Sequence, residues 1–341
     1  MILWVFSVNS ETIEACYGLD VVNSRDLSTG HTNQTRLLTT GDGKKFIMRI
    51  YNKRQPVDII SREHGLLKHF SSNFAYNVPH LLPNRQGGTL SKSGDLQYAI
   101  YPYIPSSQSP YVILQPSKKI IHEISKLSAS FAARAAEYPI PHTNEIILEL
   151  QSYKNRLIAY LAGMRQENHN TPLFNGNLAN RNEFFMNNIE DLVRMFTGYT
   201  PSSVAHTDQR KDNFIFSPGD EITGLLDFGN SMLASPWYDI AFTLKEHTLP
   251  QEISADFNYA LLHEFLTAFH QAFESKGVNI KTDQELLVPF MRLSALRCLS
   301  WLLQDRTHTP EYREQLQDWI YRQAELLVHE KTTRGIIGRL R

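Results

Sequence analysis

Five residues with chemical potential fall within residues 204–242: His206, Asp208, Asn213, Asp227 and Asp239. Two carboxylates and an amide at this spacing suit a site that holds a divalent metal and positions a hydroxyl. Residues 213–216 read as a short strand, Ser217-Pro218-Gly219-Asp220 as a turn, and residues 222–226 as a return strand running into Asp227. Such a hairpin predicts that Asp208, Asn213 and Asp227 come close together. Gly229, two residues beyond Asp227, permits a sharp departure of the backbone. Magnesium takes oxygen ligands and keeps waters and substrate phosphates, so one carboxylate plus one amide is a sufficient share for the protein. The remaining aspartate is then available to accept a proton from a hydroxyl. Taken singly, Asp and Asn are ordinary turn residues that bond their own backbone. The joint pattern carries the inference: His-x-Asp-x4-Asn, strand–turn–strand, then Asp-Phe-Gly.

The rest of the chain has to position this stretch. Its 341 residues suffice for two lobes with a sizeable core. A formal net charge of -1 gives no reason to expect nucleic acid or an anionic membrane as partner. Cys16 and Cys298 are two isolated thiols, which offer neither a disulfide framework nor a zinc spacing and suit a reducing cytoplasm. The apolar start, MILWVF, is too short for a membrane span and reads as a packing segment.

Residues 11–17 suggest a short helix ended by Gly18, followed by strands at 19–27, 35–40 and 45–51. In the last of these, Phe46, Met48 and Ile50 share one face, and Ile47 and Arg49 the other. After Pro56 a helical pattern runs through Ile59, Ile60, Leu66, Leu67 and Phe70, with Glu63 placed either to face water or to turn back and pair with Arg49. An apolar strand at 96–104 precedes Pro105-Ser106-Ser107-Gln108-Ser109-Pro110, the best linker signal in the chain. Beyond it the period becomes helical, with stripes such as Ile120, Ile121, Ile124, Leu127 and Phe131. The expected organisation is therefore α+β: residues 1–105 as a small β-rich lobe with one main helix, and residues 106–341 as a larger, mostly helical lobe.

The motif resembles the aminoglycoside phosphotransferase and choline kinase family, including its homoserine-kinase-like members. These are small-molecule kinases with a bilobal, protein-kinase-like fold. The family's catalytic loop matches His206-Thr207-Asp208-Gln209-Arg210-Lys211-Asp212-Asn213, its metal-binding aspartate matches Asp227, and its Tyr-Asp-Leu-Ala motif matches Tyr238-Asp239-Ile240-Ala241. An Ala-Pro-Glu segment, which a protein kinase would carry, is missing between Asp227 and Asp239. The resemblance implies ATP and Mg2+ as cofactors and a small-molecule hydroxyl as acceptor, with no nucleic acid or membrane partner. A cytoplasmic monomer or homodimer is expected.

By this resemblance Asp208 is the catalytic base, and Asn213 and Asp227 hold magnesium. Arg210 is either a γ-phosphate contact or a solvated loop charge. His206 and Asp239 brace the loop. Ser28, Gly30 and Asn33 belong to the phosphate-covering loop, which by itself is only a polar hairpin. Arg49 stands where the family usually has lysine, paired with Glu63, and Tyr101, Tyr103 and Ile104 form the adenine hinge. Arginine's planar fork binds phosphate differently from an ammonium point charge. Arg292 and Arg297, on a late helix, read as solvated charges. A nucleotide-binding regulatory module of the same fold, catalytically weak or inactive, is the alternative.

Overall fold

The computed structural model describes residues 8–27, 33–53, 55–107, 113, 115–140, 143–166, 177–249, 257–280, 283–303 and 310–340. They fall into two compact units, the first comprising residues 1–108, 215–218 and 223–229, the second the remainder.

The first unit opens with helix α1 (Ser10–Tyr17), capped by Asn9 Oδ1, which accepts from Thr12 N at 2.9 Å. Gly18 ends it at φ 72°, a left-handed angle that suits a residue without Cβ. Strands β1 (Val21–Leu27), β2 (Gln34–Thr40) and β3 (Lys45–Tyr51) follow, then helix α2 (Val57–Asn73), β4 (Ser91–Ser93) and β5 (Leu96–Pro102). The sheet runs β1-β2-β3-β5-β4 and is antiparallel throughout. The strict alternation of β3 buries Phe46, Met48 and Ile50 in a core with Val8, Ile13, Leu38, Tyr98 and Ile100. The opposite face carries Arg49, paired in register with Thr35 and Ala99. On α2 the buried positions are Ile60, Glu63, His64, Leu66, Leu67 and Phe70, so Glu63 lies on the buried stripe rather than in solvent.

The second unit contains helices α3 (Lys118–Ala135), α4 (Glu145–Gln166) and α5 (Asn177–Phe196), then strand β6 (Ser203–Ala205). Strands β7 (Phe214–Phe216) and β8 (Ile222–Leu225) form a hairpin whose residues are shared between the units. Strand β9 (Met232–Ala234) and helices α6 (Trp237–Thr248), α7 (Tyr259–Ser275), α8 (Leu287–Leu302), α9 (Pro310–Val328) and α10 (Glu330–Gly338) complete the chain. Helix α3 packs on α7, α6 on α8, and α8 on α9. Among the described residues no helix is long and apolar enough to cross a membrane.

Two short pairings matter for the site. Strand β6 pairs antiparallel with β9, Val204 opposite Leu233, which brings the loop after Ala205 beside the loop before Met232. At the other end of the hairpin, Gly224 bridges Asn77 of the first unit. A Cβ on Gly224 would stand 2.5 Å from the Asn77 carbonyl oxygen, so close backbone approach requires glycine there. The observed hairpin differs slightly from the expected one. Asn213 closes a 3-10 turn (Lys211–Asn213) instead of opening the strand, and β8 stops at Leu225.

Candidate active site

In the second unit the catalytic-loop motif is held by its backbone. Asp239, on the first turn of α6, accepts from His206 N at 2.9 Å and from Thr207 N at 2.7 Å. Helix α6 starts where Ser235 Oγ accepts from Trp237 N at 3.2 Å, with Pro236 already helical at φ -52°. Burial pushes the Asp239 carboxyl up to about 7, against the pull of those two N–H donors. His206 is fully buried, edge-on to Phe131 at 5.8 Å, and its Nδ1 accepts from Asp208 N at 3.3 Å. These contacts make it a loop anchor.

Asp208 is oriented from the chain just after it. Asn213 Nδ2 donates to Asp208 Oδ2 and to Asp208 O, both at 2.9 Å. With Nδ2 so committed, Oδ1 is the atom Asn213 can offer to a metal. Arg210 Nε lies 3.7 Å from Asp208 Oδ1, and Arg210 Nη2 is 3.3 Å from Asp212. Arg210 is therefore a paired cation beside the aspartate and not a loop charge surrounded by water alone. A carboxylate held this way, 18% exposed, can accept a proton from an approaching hydroxyl.

The first unit carries a second cluster. Arg49 Nη1 donates to Asp227 Oδ1 at 2.8 Å and lies 3.6 Å from Glu63 Oε1. The pairing of Glu63 with Arg49 is thus present, and the direct contact of Arg49 with Asp227 is an addition. Two buried polar atoms of this cluster, Arg49 Nε and Glu63 Oε2, have no hydrogen-bond partner among the described residues. Asp227 sits at φ 59°, and a Cβ on Gly229 would fall 2.7 Å from Arg49 Nη2. Glycine at 229 is what lets the arginine lie against this turn. Burial raises Glu63, offset by the neighbouring Arg49 guanidinium. The Tyr101 phenol, beside the same arginine, is pushed up to about 12 by burial.

Of the other nucleotide-side residues, Ser28 and Gly30 lie outside the described residues. Asn33 is buried, and its Oδ1 accepts from Asn52 N at 3.0 Å, tying the start of β2 to the end of β3. Tyr103 N donates to Lys45 O at 3.0 Å, so that donor is used by the sheet and its carbonyl is what Tyr103 retains for a ligand. Tyr103 and Ile104 lie past the end of β5.

The sequence reading missed the late arginines. Arg292 is buried, with Nε donating to Asn188 Oδ1 at 2.9 Å and Nη2 3.4 Å from Asp191. Arg297 reaches Thr207, Asn230 and Glu149. Neither is a solvated charge, because helix partners far off in sequence cover both. Their place beside the apolar positions Leu293 and Leu296 was the available signal.

A model of the phosphotransferase enzyme family matches residues 24–275. The chain belongs to this family. A homoserine kinase of Bradyrhizobium sp. (strain ORS 278) is 24% identical over 297 residues, covering 85% of this chain and 82% of that protein. Among solved structures, an amicoumacin kinase in complex with AMP-PNP, Ca2+ and Ami has a TM-score of 0.69 at 14% identity, over 92% of each chain. A microcompartment-associated aminopropanol kinase has a TM-score of 0.64 at 16% identity, covering 92% of this chain and 94% of that one. The family membership makes the protein a phosphotransferase, and the structural likeness gives it the α+β, protein-kinase-like fold of small-molecule kinases.

Among the described residues no three His, Cys, Asp or Glu side chains converge as a metal cluster. Taken each in its own unit, Asn213 Oδ1 and the Asp227 carboxylate are oxygen donors of the type magnesium takes together with phosphate oxygens and water. Within the first unit, Arg49 Nε and Glu63 Oε2, without a partner among the described residues, fit a polar ligand.

Proposed function

We propose that this family member transfers the γ-phosphate of ATP to a hydroxyl of a small molecule, an amino alcohol, amino sugar or homoserine-like metabolite. The observation that carries this reading is Asp208, held by Asn213 and flanked by Arg210. The homoserine kinase relative and the aminopropanol kinase neighbour support the acceptor class.

In this reading Asn213 Oδ1 and Asp227 hold magnesium, which when bound supplies charge neutralisation at the phosphate oxygens. Arg49 contacts the phosphates, taking the place of the family's usual lysine, and Glu63 keeps it on that face of the sheet. Tyr101, Tyr103 and Ile104 border the adenine. Asp208 accepts the proton of the acceptor hydroxyl and aligns its oxygen for in-line attack, and Arg210 stabilises charge beside it. The loop with Ser28, Gly30 and Asn33 covers the phosphates. Residues 1–105 would serve the nucleotide and residues 106–341 the acceptor, in a cytoplasmic monomer or homodimer.

The test is ADP release from ATP and magnesium across homoserine, aminopropanol, ethanolamine, choline and aminoglycosides. Turnover with one of them, absent in Asp208→Ala, is the expected result. No turnover with any hydroxyl compound, despite magnesium-dependent ATP binding, would overturn the reading.

A further inference from the structure

Thr207 stands immediately before Asp208 at φ 66°. A β-branched residue in the left-handed region is strained, and such strain persists only where surrounding contacts over-determine it. Those contacts converge on one side chain. Arg297, on α8, donates from Nη1 to Thr207 Oγ1. Its Nη2 donates to Asn230 O at 3.0 Å, and Thr207 Oγ1 donates to the same carbonyl at 2.7 Å. Its Nε lies 3.4 Å from Glu149 Oε1 on α4. Arginine, Thr207 hydroxyl and Asn230 carbonyl thus close a ring.

We propose that Arg297 is a positioning residue: it locks Thr207 in the left-handed conformation and thereby aims the Asp208 carboxylate. The proposal rests on the reading of Asp208 as the group that aligns the acceptor hydroxyl. Asp239 fixes the N–H groups of His206 and Thr207, which sets where the loop lies. It leaves the Thr207 side chain undetermined; Asn230 O accepts from the Thr207 hydroxyl, and Arg297, which donates to both, completes that remaining constraint. All three nitrogens of its guanidinium are engaged by Thr207, Asn230 and Glu149, which is the signature of a framework residue and not of a group awaiting an acceptor.

The test compares wild type, Arg297→Gln, Thr207→Gly and the double variant in ADP release from ATP and magnesium, with homoserine and with water alone as acceptor. A misplacement of about 1 Å costs ~100-fold, so Arg297→Gln should lose kcat on that order while KM for ATP and homoserine stays within a few-fold. Glycine takes a positive φ without strain, so Thr207→Gly in the Arg297→Gln background should recover at least ~10-fold of the lost kcat. The pair Glu149→Gln with Arg297→Gln covers the case in which an unpaired Glu149 unfolds the single variant. A loss expressed in acceptor KM, or a loss of kcat that glycine does not relieve, would overturn the proposal. A structural readout keeps it separate from the functional reading: the Cα and Cβ carbon shifts of Thr207 in threonine-labelled protein. They should report a left-handed residue in wild type and leave that range in Arg297→Gln. Unchanged shifts overturn the proposal even where turnover falls. A wild type that turns over none of the hydroxyl acceptors would sink the functional reading, and the shifts would still decide the role of Arg297.

Discussion

Two half-buried arginines, one in each unit, use their surroundings in opposite ways. Arg49 meets two carboxylates, yet its Nε and the Glu63 Oε2 beside it are unpartnered. Arg297 engages a hydroxyl, a carbonyl and a carboxylate from separate segments. A buried polar atom without a partner is costly, so it marks a place where a ligand is expected to complete the bonding. A fully engaged arginine marks scaffold. The contrast supports the proposed roles, Arg49 as the charge that meets a ligand and Arg297 as the charge that shapes the loop.

The predictions are ways to break that contrast. The largest effect belongs to the acids: Asp208→Ala or Asp227→Ala should leave a folded protein with kcat reduced by ~1,000-fold or more, read by ADP release and thermal melting. Full turnover in Asp227→Ala would remove the metal assignment. Next is Arg49→Ala, expected to weaken nucleotide binding by ~10–100-fold, the range of one or two charge-assisted hydrogen bonds. Calorimetric titration with a non-hydrolysable ATP analogue measures it, and unchanged affinity would make Arg49 scaffold like Arg297.

A third prediction concerns pH and has opposite signs in the two units. Burial, reinforced by nearby Arg49, holds the His64 imidazole down to about 4 from an ordinary 6.5. The unfolded chain then binds the proton first, so stability is lost as pH falls from 6.5 toward 4, by at most ~1.4 kcal/mol per pH unit. Burial lifts Asp239 from 3.8 to about 7, so this carboxyl binds its proton first in the folded state and its contribution to stability is lost as pH rises through that window. Denaturant midpoints across pH, for wild type against His64→Gln and Asp239→Asn, should show the two slopes separately. The smallest effect is Gly229→Ala, whose Cβ would meet Arg49 Nη2 at 2.7 Å. A shift of that guanidinium by a partial rotamer costs about 1 kcal/mol, which should lower the melting temperature by only ~1–3 °C and, by displacing Arg49, weaken nucleotide binding several-fold.

Much of this was readable along the chain. The alternation of β3 put Arg49 on the face opposite Phe46, Met48 and Ile50, and the phase of α2 allowed Glu63 to turn toward it. The anchoring of the loop by Asp239 was implied by the family resemblance. The contact of Arg49 with Asp227 joins residues 178 positions apart, and that of Arg297 with Thr207 joins residues 90 apart. Periodicity describes only the face an element presents, so it cannot say which distant group will meet that face. Arg292 and Arg297 were misjudged for this reason: on their own helix they are charges, and only α4, α5 and the loops bury the first and pair the second.

The sequence by itself determined the reaction class through resemblance, because His-x-Asp-x4-Asn and Asp-Phe-Gly are local patterns that match the phosphotransferase family. It also determined the alternation and helix phases, since these depend on neighbours two to four positions away. Only the tertiary structure decided how the charges are paired. It set Arg49 against Asp227, Asn213 against Asp208 and Arg297 against Thr207. Pairing energy depends on distance and burial in three dimensions, which residue spacing along a chain does not contain.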